Sequence, residues 1–183
     1  MNDSRISDIS QDEVRMSELM TPGHANFLGN VFGGAIMSMM DHVAYVTASR
    51  YAKRVCVTAS FDRVDFHSSI DVGELVHMVG RVVYVGRTSL QVQIEVYAEN
   101  IQTGTTRHTN TCTTTMVAID DAGKPVPVPK LECRTREQKI NYLKGKMRRE
   151  LAQRHREESQ RLASELEALT DEELNRKIAE ANA

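Results

Sequence analysis

Apolar and polar positions alternate strictly through part of the chain and switch to helical spacing on either side. Across residues 90–100, Leu90, Val92, Ile94, Val96 and Ala98 fall on one side, and Gln91, Gln93, Glu95, Tyr97 and Glu99 on the other. That period of two describes a half-buried strand. Residues 55–66 (VCVTASFDRVDF) and 74–85 (ELVHMVGRVVYV) are further strands rich in β-branched residues, and the Thr-rich run 105–119 is a last one. The joints are short: a turn punctuated by Asp71 and Gly73, the pair Gly86–Arg87, and Gln102–Thr103–Gly104. Gly80 interrupts its strand and predicts a bulge or a close backbone approach. Upstream, residues 13–20 predict a short strand with Val14 and Met16 on one side, stopped by Thr21–Pro22–Gly23. Three alternate prolines, Pro125, Pro127 and Pro129, enforce an extended exit from the last strand.

Helical spacing dominates two other regions. After the glycine-containing loop NFLGNVFGG, Ala35, Ile36, Met37, Met39, Met40, Val43, Ala44, Val46 and Ala48 cover nearly every side of a helix that runs from Gly33–Gly34 to about Tyr51. A helix apolar all round belongs in an interior. From Arg134 onward, Tyr142, Leu143, Met147 and Leu151 recur at helical spacing, as do Leu162, Leu166 and Leu169, with charges between them. This is a long amphipathic helix or a pair of them, and Thr170–Asp171–Glu172–Glu173 matches a capping box that starts a separate short helix. The early part of this region is basic and its end acidic, with no interleaved aromatics for base stacking.

Segregated helix and strands with short turns imply an α+β fold, an antiparallel sheet packed on one central helix, rather than parallel β-α-β units. The expected organisation is a loosely attached polar tail over residues 1–13, one domain over 14–131, and a charged helical extension over 132–183 packed on the outside of an oligomer.

Composition narrows the setting. The 183 residues are 40% hydrophobic, enough for a real core, and the net charge of −2 gives no reason to expect nucleic acid as the main partner. Cys56, Cys112 and Cys133 are an odd number without C-x-x-C spacing, as expected of reduced thiols in a cytoplasmic protein. The start is polar and acidic, unlike a signal peptide. The longest apolar run is the central helix, broken by Asp41 and His42 and short of a membrane span. The six histidines are scattered, and His42 and Asp41, adjacent on a helix, point about 100° apart, so no metal site is expected.

Asp41 is the anomaly. A carboxylate among Met and Val costs several kcal/mol, roughly, unless it is paired or hydrogen-bonded. One reading makes it a structural group that caps a loop or pairs with an Arg. The other makes it chemical. The helix N-terminus at Gly33 and Gly34 offers unsatisfied N–H donors that could stabilise a developing oxyanion, and Asp41 lies two turns further along the same side, placed to hold a water. The residues alone leave both open.

The motifs NFLGNVFGGAIMSMMD, VTASFDRVDF, VGRTS and MVAIDDAGKPVPVP, in this order over residues 14–131, resemble the hotdog-fold acyl-CoA thioesterases, most closely the bacterial YciA-like and brain acyl-CoA hydrolase branch. The resemblance implies a sheet wrapped around one central helix, dimers that join their sheets, and usually a trimer of dimers. It implies hydrolysis of fatty acyl-CoA to free acid and CoA, with coenzyme A as part of the substrate and no other cofactor. It assigns Asp41 as general base or nucleophile, Asn26 of the other subunit to the attacking water, and Gly34 with Gly33 to the oxyanion. It places Arg87, Thr88 and Ser89 against the bound CoA; the plain reading of these three is a turn that closes a hairpin. Asn30 has a similar choice between ligand contact and loop shape.

Two other activities fit the same motifs less well. A hotdog hydratase or dehydratase usually needs a catalytic His, and the loop position opposite Asp41 is Asn26, with His24 the only local candidate. A sensor or scaffold that binds acyl-CoA without turnover would not need both Asn26 and Asp41.

Overall fold

The computed structural model describes residues 13–182; most of the expected N-terminal tail therefore lies outside them. Strand β1 (Glu13–Leu19) leads through a 3-10 turn (Pro22–His24) and the loop to helix α1 (Gly33–Ala52), followed by β2 (Val55–Phe61), β3 (Leu75–Val85), β4 (Ser89–Asn100) and β5 (Thr105–Ile119). Helices α2 (Arg136–Glu167) and α3 (Asp171–Ala181) complete the chain. The five strands form one antiparallel sheet in the order β1-β3-β4-β5-β2, and α1 packs against all five. This is the α+β hotdog architecture.

The strict alternation in β4 is the spine of the core. Leu90, Val92, Ile94, Val96 and Ala98 are all buried against α1, each large side chain contributing roughly 1.5–3 kcal/mol of burial. From α1 they meet one stripe, Ile36, Met40, Val43, Ala44, Thr47, Ala48 and Ala52. The Thr47 hydroxyl donates to the Val43 carbonyl at 2.7 Å, so it is buried without loss of its hydrogen bond. Helix and sheet touch most closely at Gly80, where an added Cβ would lie 2.6 Å from Thr47 Oγ1 and 2.7 Å from Val43 Cγ1. Gly80 is thus a close approach; the bulge in β3 falls nearer its end, between Val82 and Tyr84.

Four expectations change. The all-round apolar helix is not enclosed by its own chain: Met37 and Tyr45 are exposed and Asp41 is half-buried. The strand expected over residues 55–66 ends at Phe61: its ladder with β5 passes a bulge between Thr58 and Ser60, resumes at Ser60 and Phe61, and stops there. Val14 and Met16 do share a side, yet only Val14 is buried, since β1 is an edge strand. Glu13, on which the expected tail and the expected strand overlap, belongs to β1 and pairs with Arg81.

The proline exit returns along the sheet. Val126 N–H donates to the Ala118 carbonyl at 2.9 Å and Val128 N–H to the Arg87 carbonyl at 3.0 Å. Val126, Val128 and Leu131 pack on the core. The chain divides into two compact units, Met1–Tyr142 and Leu143–Ala183. The start of α2 belongs to the first, where the Tyr142 ring stacks at 5.1 Å on Tyr84. In the second, Thr170 and Glu173 form the reciprocal cap of α3.

Candidate active site

Helix α1 begins without a side-chain cap. The first carbonyl that it uses is that of Phe32, which accepts from Ala35 at 2.9 Å and Ile36 at 3.4 Å. The N–H groups of Gly33 and Gly34 have no acceptor among the described residues and stand at the positive end of the helix. A Cβ at Gly34 would meet the Phe32 ring, so glycine lets that ring lie over the helix start. Phe66 lies 3.5 Å from the corresponding point on Gly33. A cleft of about 350 Å3 opens beside these donors, lined by Asn26, Leu28, Gly33, Ile36, Phe66 and Ser68 among others. Roughly 300–1,000 Å3 is the usual size of a small-molecule site.

The loop that precedes the helix is built by its own side chains. Asn26 Oδ1 accepts from the N–H of Leu28 at 2.8 Å and of Asn30 at 3.2 Å, while Gly29 takes a φ of +87°. This turn uses the carbonyl end of Asn26 and leaves its NH2 group to donate elsewhere. Asn30 Nδ2 donates to Asp71 Oδ1 at 2.6 Å, so Asn30 pins the loop to the turn before β3. Phe27 and Leu28, at the loop tip, project from the chain fully or nearly exposed.

Asp41 faces β2. Its Oδ1 accepts from the Thr58 hydroxyl at 2.6 Å, and that hydroxyl also lies 3.4 Å from Met116 Sδ. Thr58 was missed by the sequence reading. By alternation Thr58 shares the strand side of buried Cys56, yet it is exposed in the single chain, so burial alone gave no signal for it.

Seven residues of one helix, roughly 10 Å of rise, separate Gly34 from Asp41. The Asp41 side chain, a water and a reacting carbonyl laid end to end span a length of the same order. The two groups share a side of the helix, and the cleft beside Gly33 is lined by Asn26 and not by Asp41, which faces β2.

Arg87, Thr88 and Ser89 form the β3–β4 turn. Ser89 pairs with Val117, and Val117 with Val57. The turn is therefore two strand spacings, roughly 10 Å, from the strand position next to Thr58. The Arg87 carbonyl and the Thr88 carbonyl hold Val128 and Ala118, while the Arg87 guanidinium has no ion pair among the described residues and is exposed. His24 is spent locally: its Nδ1 accepts from the Thr21 N–H at 3.1 Å and its Nε2 is 3.5 Å from Glu18. Among the described residues no cluster of His, Cys, Asp or Glu is arranged to hold a metal ion, and no helix is long and apolar enough to cross a membrane.

The thioesterase superfamily model matches residues 28–105. The chain is 40% identical over 147 residues to the VdlD protein of Helicobacter pylori, covering 80% of this chain and 83% of that one. It is 33% identical over 156 residues to the uncharacterized acyl-CoA thioester hydrolase YkhA of Bacillus subtilis, covering 85% of this chain and 91% of that one. It belongs to the acyl-CoA thioester hydrolases of the thioesterase superfamily.

Solved structures of such thioesterases superpose on it. An apo-hexameric acyl-CoA thioesterase, 38% identical, matches with a TM-score of 0.75 over 78% of this chain and 92% of that one. The acyl-CoA hydrolase of Staphylococcus aureus, solved with butyryl-CoA, CoA and CoA disulfide, is 29% identical, with a TM-score of 0.75 over 84% and 94%. That hydrolase has also been solved with an Asn, an Asp and a Thr each changed to Ala; the Asp follows the Asn by fifteen residues and the Thr follows the Asp by seventeen. Asn26, Asp41 and Thr58 have those same spacings.

Proposed function

We propose that this acyl-CoA thioesterase hydrolyses fatty acyl-CoA to free acid and CoA at a site shared by two chains. Asp41 of one chain acts as general base, or attacks directly, opposite the Asn26 loop and the Gly33–Gly34 helix start of the other. The separation of the two halves of the site carries this reading: the cleft at Gly33 is lined by Asn26 and not by Asp41, which is held on β2 by Thr58, and two facing copies bring the halves together. Exposure supports it too. Phe27, Leu28 and Phe32 around one half of the site, and Val55 and Val57 beside Thr58 at the other, are apolar and uncovered in the single chain.

The roles follow from the chemistry. The Thr58 hydroxyl holds Asp41 Oδ1 and leaves Oδ2 to take a proton from water. The free NH2 group of Asn26 orients that water or the thioester carbonyl. The N–H groups of Gly34 and Gly33 receive the developing oxyanion, and collapse of the tetrahedral intermediate expels CoA thiolate. Arg87, exposed and without an ion pair among the described residues, holds the nucleotide end with Thr88 and Ser89. Such dimers assemble further, as in the hexameric relative. The enzyme works in the cytoplasm, where its three free thiols stay reduced.

Complementation tests the shared site. Asn26→Ala and Asp41→Ala chains, each inactive alone, are co-expressed with different tags, and the mixed species is assayed for CoA release from palmitoyl-CoA. Recovered activity is expected, because a mixed dimer holds one intact site. Absence of recovery in a mixed dimer that forms would place both groups on one chain.

A further inference from the structure

The helical region has its own geometry. Of the apolar residues along α2, Leu143, Met147, Leu151, Leu162 and Leu166 are 46–64% exposed. At 100° per residue these, with Leu169 just beyond the helix, fall on one side. A helix with two exposed apolar clusters on one side, Leu143 to Leu151 and Leu162 to Leu166, lacks a partner for that side among the described residues.

The stripe is its own mirror image. Leu151 and Leu162, Met147 and Leu166, and Leu143 and Leu169 are each placed symmetrically about the midpoint between Arg156 and Glu157, the last pair to within one residue. Charge follows the same symmetry with opposite sign. Residues 140–149 carry four cations and no acid, and residues 165–173 carry five acids and no cation. Two parallel copies would align like charges along their whole length. Two antiparallel copies bring Leu151 against Leu162, Met147 against Leu166, and each basic stretch beside an acidic one.

We propose that α2 is a self-association element, pairing with α2 of a second copy of this chain as an antiparallel coiled coil centred between Arg156 and Glu157. The polar residues of the stripe agree with that register: Arg154 falls beside Glu158 of the second copy, and Glu150 beside Arg161. These central charges set register, while the two leucine and methionine clusters supply the buried area. The overlap of 27 residues, 143–169, spans roughly 40 Å of helix, well beyond the length at which an isolated helix is marginal. This contact is separate from the apolar loop and strand edge of the catalytic unit, and it does not depend on the proposed chemistry.

Spin labels on the full-length enzyme with Cys133→Ser test it, since the two remaining cysteines are buried. In the antiparallel pair, a label at Arg156→Cys meets its twin across the helix pair, within about 25 Å, whereas labels at Lys146→Cys stand about 30 Å apart along the axis alone. Leu151→Glu should remove the short distance while CoA release per active site stays unchanged. Glu150→Arg should weaken it, and Arg161→Glu added to that variant should restore it. Equal short distances at both labels would mean a parallel pair and overturn the proposal; so would no short distance at Arg156, or a short distance that survives Leu151→Glu. Failure of the charge exchange to restore it would overturn the register.

Discussion

The two edges of the sheet are built from different chemistry. β1 carries Glu13, Arg15 and Glu18, and Glu13 is bound to Arg15 at 2.8 Å and Arg81 at 2.6 Å. It also exposes Met16 and Leu19, but with charges between them. β2 carries no charge from Val55 to Phe61, and Val55 and Val57 are 52% and 43% exposed. A charged edge resists the addition of another strand, while an uncharged one invites it. In the proposed dimer the polarity of the two edges makes β2 the joining side, and β2 is also the strand that holds Asp41 through Thr58. On that proposal assembly and chemistry meet on one strand.

The sharpest way to break this contrast is to charge each edge in turn. Val57→Lys should separate the subunits in sedimentation and lower CoA release by about a hundredfold or more, as expected when a general base loses its site. Met16→Lys should alter both by less than about twofold. Equal effects would mean that the edges do not differ in role.

A smaller change asks what β2 contributes beyond contact. Thr58→Val keeps the shape of the edge and removes the hydroxyl on Asp41, so assembly should persist while kcat falls about tenfold, roughly the worth of one charge-assisted hydrogen bond. A loss of assembly instead would make Thr58 an interface residue only.

The start of β3 is tied to β5 by charges within the chain, and acid should expose that. Glu74 is buried; the Arg107 guanidinium, donating to both carboxylate oxygens, and the Asp71 N–H hold its carboxyl below the ordinary Glu range. With the folded pKa depressed, the stability it supplies is complete above the unfolded pKa and is lost as pH falls through the folded one. Glu74→Gln should thus cost about 1–3 kcal/mol near neutrality, and its urea midpoint should approach that of the wild type as the pH drops below the ordinary Glu range. A pH-independent gap would mean that shape, not charge, is what the variant loses.

Thiol counting gives the mildest test. Burial pushes the Cys112 thiol up to about 11 and raises that of Cys56, which faces inward from the otherwise exposed β2. At neutral pH a thiol reagent should find Cys133 alone in the folded chain and three thiols in urea. Rapid reaction of Cys56 would show that β2 turns over or frays.

Local rules determined much of this protein. The period of two in β4, the Thr170–Glu173 cap, the proline exit and the glycines at the start of α1 are all legible because each depends on neighbours within a few residues. Asp41 stood out for the same reason, as a charge in an apolar run. Thr58 did not, because one Thr in a β-branched strand looks ordinary until the fold brings it to a carboxylate seventeen residues away. The end of β2 at Phe61 was hidden likewise, since Val64 and Phe66 continue the alternation although the ladder with β5 stops at Phe61. The apolar surround of α1 was legible, but not how it divides: one stripe is buried by the sheet of its own chain and the other is left open beside Asp41. Composition measures how much apolar surface seeks cover. Only the three-dimensional placement of the strands decides which part the chain covers itself, because the sheet has one inner face and the helix has two sides.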